Sequence, residues 1–396
     1  MRFYAKYVYT LESKEPVRDG YVDFDPSDGR ILSVGAGTDI PEGAKILDGA
    51  IAPGFVNAHC HVELSYMKGL FKRGTGMAGF IDQINRLRNV APLSERLEDI
   101  QTQMDIMWKS GVSAIADISN CEESFAIKAA SPIYTRTFLE VFGTEPADCE
   151  AVMSSARELC RRAEECGIDA APTPHACYTM SPELLEAASR EALNAGFLSY
   201  HSEETPEEEE MISSGSGRLW DNRKSAGMST PPVTGGTSLE YFLDILGKIS
   251  PEKIKSNVLL VHEVCMTSDG AAKAAAKIPK LFVALCPRSN IYIHNALPPV
   301  QMLRAQKGVR LAIGTDSLSS NDSLDMVSEM LCLQENFEDL SLGELLTWCC
   351  RGGAEFLGKE DQLGTITPGK HPGLVFIDHL DERGRLSSAS SSYRIV

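Results

Sequence analysis

His59 and His61 stand two apart in PGFVNAHCHVELS, a spacing that puts both imidazoles on one face of an extended strand, where they can grip one cation. An HxH pair alone is weak evidence. Four further strand-like segments end in the same kind of chemistry: TPHACYT carries His175, SYHSEET carries His201 and Glu204, LVHEVC carries His262, and AIGTDSLSSND carries Asp316. Five of the eight histidines fall at these ends, which chance placement would not favour. His59, His61, His201 and Asp316 offer three neutral nitrogens and one carboxylate. That set suits one divalent ion, Zn2+ first and Fe2+ second, and disfavours magnesium or calcium. No lysine ends the fourth strand, where a carbamylated side chain would bridge two ions, so one metal is expected.

A metal in such a set lowers the pKa of its water toward about 7 and so generates hydroxide. Hydroxide alone does not release ammonia from an aromatic C–NH2 group. The attacked ring must be protonated at nitrogen and the leaving amine must collect a proton, which calls for a second carboxylic acid and a further polarising group. Glu204, three residues after His201, and His262 can fill these roles; Glu203 is the neighbouring alternative for the carboxylic acid.

Strand-like runs that could position these groups recur at 55–61, 113–118, 133–142, 169–174, 197–201, 257–262, 281–286 and 310–316. Helical periodicity fills the intervals, for example over 94–109, 150–165, 182–194 and 271–277. This alternation predicts an α/β fold, a (β/α)8 TIM barrel whose strand C-termini collect the active site. A doubly wound sheet is the competitor, weakened because no GxGxxG follows the first strand. Residues 1–50 and 365–396 read instead as short β-runs punctuated by Gly, Pro and Asp. They predict a small β-sandwich built from both termini, beside a catalytic barrel over 51–364. The acidic run Glu207–Glu210 reads as a solvated first helical turn, and the Gly- and Ser-rich stretch 213–238 as a loop or lid over the site.

The chain has 396 residues, 43% of them hydrophobic, enough for a large folded core. Its 38 basic against 55 acidic residues give a net charge of −17, which would repel nucleic acid and points to a small-molecule partner. The N-terminal MRFYAKYVYTLESKEPVRDG shows no signal-peptide pattern and no window is apolar enough to span a membrane, so a cytoplasmic protein away from membranes is expected. Eleven cysteines without CxxC spacing should be mostly buried thiols.

Taken together, IAPGFVNAHCH, PHACYTMSPELL, HSEET, VHEVC, CPRSN and GTDSLSSNDSLDMVSEM, in this order, resemble the amidohydrolase superfamily in its mononuclear deaminase and chlorohydrolase branch. The resemblance implies that His59, His61, His201 and Asp316 hold the metal, that Glu204 shuttles a proton to a ring nitrogen, and that Asp316 takes the proton of the attacking water. It further implies that His262 polarises the hydroxide or leaving group, that His175 contacts substrate, and that the protein is a homodimer. Glu63 and Arg288 look most like the sequences of deaminases acting on aminodeoxyfutalosine, with S-adenosylhomocysteine and methylthioadenosine as the other 5'-modified adenosines of the branch. Glu63 would accept ribose hydroxyls, or orient a metal-bound imidazole; Arg288 would pair with a substrate carboxylate, or form a structural ion pair. The rival functions are halide or other C–N hydrolysis on an aromatic N-heterocycle such as guanine, a pterin or a triazine, and metal-dependent binding without turnover. The closing segment PGKHPGLV departs from the branch in carrying Gly373 where an aspartate is usual.

Overall fold

The computed structural model describes residues 1–37, 43–250, 252 and 254–396. Eight parallel strands form a TIM barrel: β5 (Phe55–Cys60), β6 (Val112–Ser119), β7 (Tyr134–Val141), β8 (Asp169–Pro174), β9 (Phe197–Ser202), β10 (Asn257–His262), β11 (Leu281–Leu285) and β12 (Val309–Ile313). β5, β6, β10 and β11 are buried along their whole length, as strands covered on both faces must be, while β8 and β12 begin at the surface. Helices at Leu93–Ser110, Cys149–Glu165, Pro182–Asn194 and Ser268–Lys277 lie between strands, close to their expected bounds. The barrel axis is filled by Val56, Ala58, Ala116, Phe138, Val261 and Phe282, among others, and Phe356 stacks on Phe138 and packs tilted against Phe282.

The ladder runs as two four-stranded sheets, β5-β6-β7-β8 and β12-β11-β10-β9, and the two seams between them have different chemistry. At the β8/β9 seam the His175 N–H bonds back to Val141, so strand alternation turns Pro172 and Pro174 toward β9. Proline has no N–H to give, and the Thr173 hydroxyl bridges instead, donating to Ser199 O (2.7 Å) and accepting from Ser199 N (3.1 Å). At the β5/β12 seam the backbone N–H groups of Thr315 and Asp316 both donate to His59 O at 3.0 Å. Asn57 ties the same turn by accepting from Thr315 N (3.1 Å) and donating to Thr315 Oγ1 (2.8 Å).

The two ends of the chain meet in one six-stranded sheet, ordered β14 (Ser392–Arg394), β13 (Leu374–Ile377), β4 (Lys45–Pro53), β1 (Arg2–Val8), β2 (Val17–Phe24) and β3 (Ile31–Ala36). Arg394 fastens this sheet to the barrel by donating to Val112 O (2.9 Å) and Ser113 Oγ (3.0 Å) while its guanidinium lies over Trp108. A Cβ at position 373 would sit 2.5 Å from Arg394 Nη1, and the backbone there has φ +70°, so the glycine in place of the usual aspartate has a local steric reason. Among the described residues no helix is long and apolar enough to cross a membrane. All eleven cysteines are free; five are buried and Cys166 is exposed, so fewer are interior than expected, because several lie on the amphipathic outer helices.

Gly314, one residue past β12, has no room for a side chain: an added Cβ would lie 2.8–2.9 Å from the Cβ, N and O of His59. Gly314→Ala should therefore force the β5/β12 seam apart and cost about 1–3 kcal/mol, read as a lower urea midpoint with unchanged m. Gly247→Ala, in the helix Ser238–Ile249 with nothing within 4 Å of the new Cβ, should be neutral or stabilising by up to about 1 kcal/mol. Equal effects of the two substitutions would contradict the steric account of the seam.

Candidate active site

The register of β5 on β6 slips between Asn57 and Cys60, three steps along β5 facing two along β6 from Ile115 to Asp117. Such a bulge re-aims the side chains beyond it, and here it brings His59 and His61 round to the cluster at the strand ends. Asp117 Oδ1 then accepts the Val62 N–H (2.9 Å) and fixes the chain just past His61. The carboxylate is itself paired with Lys128, both side chains being fully buried.

His59 Nε2 and His61 Nε2 lie 3.2 Å apart, and Asp316 Oδ1 is 3.5 Å from His61 Nε2 and 3.8 Å from His59 Nε2. His59, His61 and His201 bring their donor nitrogens within 4.8 Å of one another. Bonds of 2.0–2.1 Å to a tetrahedral ion put neighbouring nitrogens about 3.3–3.4 Å apart, so this donor set fits a divalent cation. Its electrostatics agree: burial, reinforced by neighbouring imidazoles for His59 and His201, pushes these histidines below their ordinary range, leaving neutral nitrogens as ligands must be. Burial would raise Asp316, but His61, His262 and His59, with the Ser289 hydroxyl, outweigh it and hold the carboxyl at about 2. Ser289 (2.6 Å) and Ser320 (2.9 Å) both donate to Oδ2, which leaves Oδ1 facing the imidazoles.

Glu204 and His262 stand beside this cluster, Glu204 Oε1 being 3.5 Å from His262 Nε2. Burial, with the nearby charges of Asp316 and Glu208, pushes Glu204 well above the usual carboxylate range, and Tyr178 donates its hydroxyl to Oε2 (3.1 Å). Asn290 Nδ2 donates to His262 Nδ1 (3.1 Å), so the imidazole carries its proton on Nε2, toward Glu204. The turn that aims Glu204 is clamped by Glu208, which accepts the N–H groups of Glu203 (3.2 Å) and Glu204 (2.9 Å). Glu203 does not line the site cavity; it is buried behind it, and burial, followed by the charge of Glu209, pushes its carboxyl up to about 7. Glu203, His262 and Asp316 have left-handed φ of 46°, 80° and 56°, strain that non-glycine residues hold only where the surroundings fix it.

One cavity of about 170 Å3 takes in His61, His175, His201, Glu204, His262 and Asp316. Its apolar wall is Met77, Phe80, Ile81 and Ile84, one face of the helix Gly76–Leu87 at i, i+3, i+4, i+7 spacing. Of the residues expected at the site, two lie elsewhere. Glu63 is buried, accepting Asn120 N–H at 2.9 and 3.0 Å, and lines an adjoining cavity. Arg288 donates to Ser323 Oγ (3.0 Å) and Asp322 Oδ2 (3.2 Å) and lines neither cavity. Its fork is occupied by the loop that follows Asp316.

Two expectations about segments change. The run 207–210 does begin a helix, Pro206–Ser214 capped by Thr205, but it is not a solvated turn. Glu208 is fully buried as the clamp, Glu207 accepts Ala78 N–H (2.7 Å) and Glu209 accepts Ser238 Oγ (2.5 Å), so three of the four acids satisfy buried backbone or hydroxyl groups. The stretch 213–238 contains the helix Gly217–Ser225, whose Arg218 reaches Thr75 O (3.5 Å) and Asp82 (3.4 Å). No residue of 213–238 lines the cavity; the segment backs the helix that does.

Sequence reasoning passed over Glu140, at the end of β7, whose Oε1 lies 3.4 Å from His201 Nδ1 and 4.0 Å from His175 Nε2. That oxygen has no hydrogen-bond donor, and burial pushes the carboxyl up to about 8. A carboxylate inside the apolar run Phe138–Phe142 was the available signal. His175 donates Nδ1–H to Thr179 Oγ1 (2.7 Å), which itself donates to Ala176 O, and turns Nε2 to the cavity.

The amidohydrolase family pattern matches residues 50–393. The chain is 29% identical over 333 residues to the aminodeoxyfutalosine deaminase of Deinococcus radiodurans, a match covering 80% of this chain and 76% of that one. In fold it is similar to Helicobacter pylori aminofutalosine deaminase in complex with methylthio-coformycin, with TM-score 0.79 and 22% identity over 98% of this chain and 93% of that one. An adenosine deaminase from Xanthomonas campestris with bound zinc has TM-score 0.70 and 22% identity over 95% and 84% of the two chains. The family match takes in every barrel strand and every strand-end residue described above, and the chain belongs to the amidohydrolase family.

Proposed function

We propose that this hydrolase is a deaminase that removes the exocyclic amine of a purine-type substrate, a 5'-modified adenine nucleoside such as aminodeoxyfutalosine, and releases ammonia. The observation that carries this reading is Glu204, buried, with its carboxyl pushed well above the usual range, 3.5 Å from His262 Nε2 and in the same cavity as His61, His201 and Asp316. A cluster of metal ligands alone would serve binding; a neutral acid beside it supplies the proton that an attacked aromatic nitrogen requires. The similarity to the Deinococcus deaminase and the zinc-bound deaminase fold support the same choice. In this reading residues 51–364 are the catalytic unit and 1–50 with 365–396 its supporting layer.

His59, His61, His201 and Asp316 would hold one ion, for which Zn2+ is the choice and Fe2+ the alternative that the same donors accept. When bound, the ion supplies a water polarised enough to ionise near neutral pH. Glu204 gives its proton to the ring nitrogen adjacent to the attacked carbon, where Tyr178 keeps the carboxyl oriented. Asp316 takes one proton from the water and passes it to the departing amine, while the proton left on the new oxygen returns to Glu204. Substrate C–NH2 and water thus become C=O and ammonia with every proton accounted for. His262 presents Nε2–H to the developing charge, and His175 presents its Nε2 lone pair to the base. The apolar wall of Met77, Phe80, Ile81 and Ile84 excludes bulk water from one side.

Ammonia release by the metal-loaded protein, across 5'-modified adenosines, guanine, pterins, cytosine and triazines, tests the reading. A hit among the adenosines is expected; chloride or a ring-opened acid as the product would replace deamination with the rival hydrolysis. Glu204→Gln should keep the metal and lower kcat about 10²–10⁴-fold. Near-native activity of that variant would move the proton role to another acid of the cavity, Glu140, since Glu203 does not line it. His59→Ala should instead lose the metal, and native metal content by elemental analysis would contradict the ligand assignment.

A further inference from the structure

A second cavity of about 230 Å3 adjoins the first, and Leu64, Arg88, Asn120 and Phe142 line both. Most charges around it are already matched. Arg96 pairs with Glu123 at 2.6 Å. Glu63 accepts from Asn120 and Cys121. Arg88 is different. Its backbone is fixed on both sides, the N–H donating to Ile84 O at the end of the helix Gly76–Leu87 and the carbonyl accepting the Tyr66 hydroxyl. Its guanidinium, half-buried, makes no hydrogen bond or ion pair among the described residues; its one contact is with the Phe142 ring, 5.7 Å from the centroid. Glu140, which lines the first cavity with it, forms no ion pair with Arg88 among the described residues. In a chain with 55 acidic against 38 basic residues, a held arginine without a counter-ion marks a place kept for an anion from outside.

We propose that Arg88 is a specificity-determining residue that binds a carboxylate on the arm a substrate carries into the second cavity while its heterocycle occupies the first. A planar guanidinium with all its donors free suits a carboxylate, and its position between the cavities suits the far end of a 5' substituent better than the base. Arg88 thereby takes the part expected of Arg288, whose fork is filled by Asp322 and Ser323. The inference rests on the deaminase reading and names the chemical class of the 5' arm.

The test uses a matched pair, 5'-deoxy-5'-(3-carboxypropylthio)adenosine and its primary amide, which differ in charge alone, with adenosine as a third substrate. The native enzyme should deaminate the acid with kcat/KM about 10–100-fold above the amide, the difference falling mainly in KM. Arg88→Met should lose that preference by weakening the acid alone and leave the amide within about threefold of native, which also shows the variant folded. Arg88→Lys should retain part of the preference. Equal rates on acid and amide in the native enzyme, or equal losses on both in Arg88→Met, overturn the assignment while the deaminase reading stands. Failure to deaminate any of the three overturns that reading and this assignment with it.

Discussion

The pair of hydrogen bonds that His59 O accepts from Thr315 and Asp316 N–H is the constraint on which the rest depends. It closes the last strand of the barrel on the first, and two of the three residues it joins, His59 and Asp316, are members of the same donor cluster, so fold closure and site assembly are one event. The bare Gly314 lets the strands approach to that distance, and the Asn57 amide satisfies the remaining polar groups of Thr315. The opposite seam joins through the Thr173 hydroxyl in place of proline N–H groups and through one backbone bond at its end, from His201 N–H to His175 O (3.0 Å).

Around that seam the protein concentrates buried acids. Glu140, Glu204 and Glu208 are buried, and burial raises each above the ordinary carboxylate range. Asp316 goes the other way because imidazoles and two serine hydroxyls face it. Two carboxyl groups in one cavity are thus shifted in opposite directions, and environment rather than residue type sets the difference. Glu208 links this chemistry to the backbone, since its two oxygens fix the left-handed turn from which Glu204 projects.

The cavity also shows how an accessory element sets what can bind. The helix Gly76–Leu87 supplies the apolar wall and, at its end, the unpaired Arg88, while the Gly217–Ser225 helix supports it from behind through Arg218. Selectivity therefore resides on a segment inserted after the first strand rather than on the strand ends that hold the chemistry, the usual division of labour on a barrel.

By itself the sequence determined the alternation of strands and helices and the collection of His59, His61, His175, His201, Glu204, His262 and Asp316 at strand ends, because period and position along a strand are local properties. Tertiary structure decided which of the other polar residues join them. Glu140 entered because β7 sets it against His201, and Glu63 and Arg288 turned to backbone and loop partners that lie 57 and 34–35 residues away. The run 207–210 read as solvent-facing because charge normally seeks water; its partners, Ala78, Ser238 and the turn at 203–204, come together only in the folded chain. The bulge that re-aims His59 likewise depends on the register of β5 against β6, a pairing between strands that no local pattern encodes.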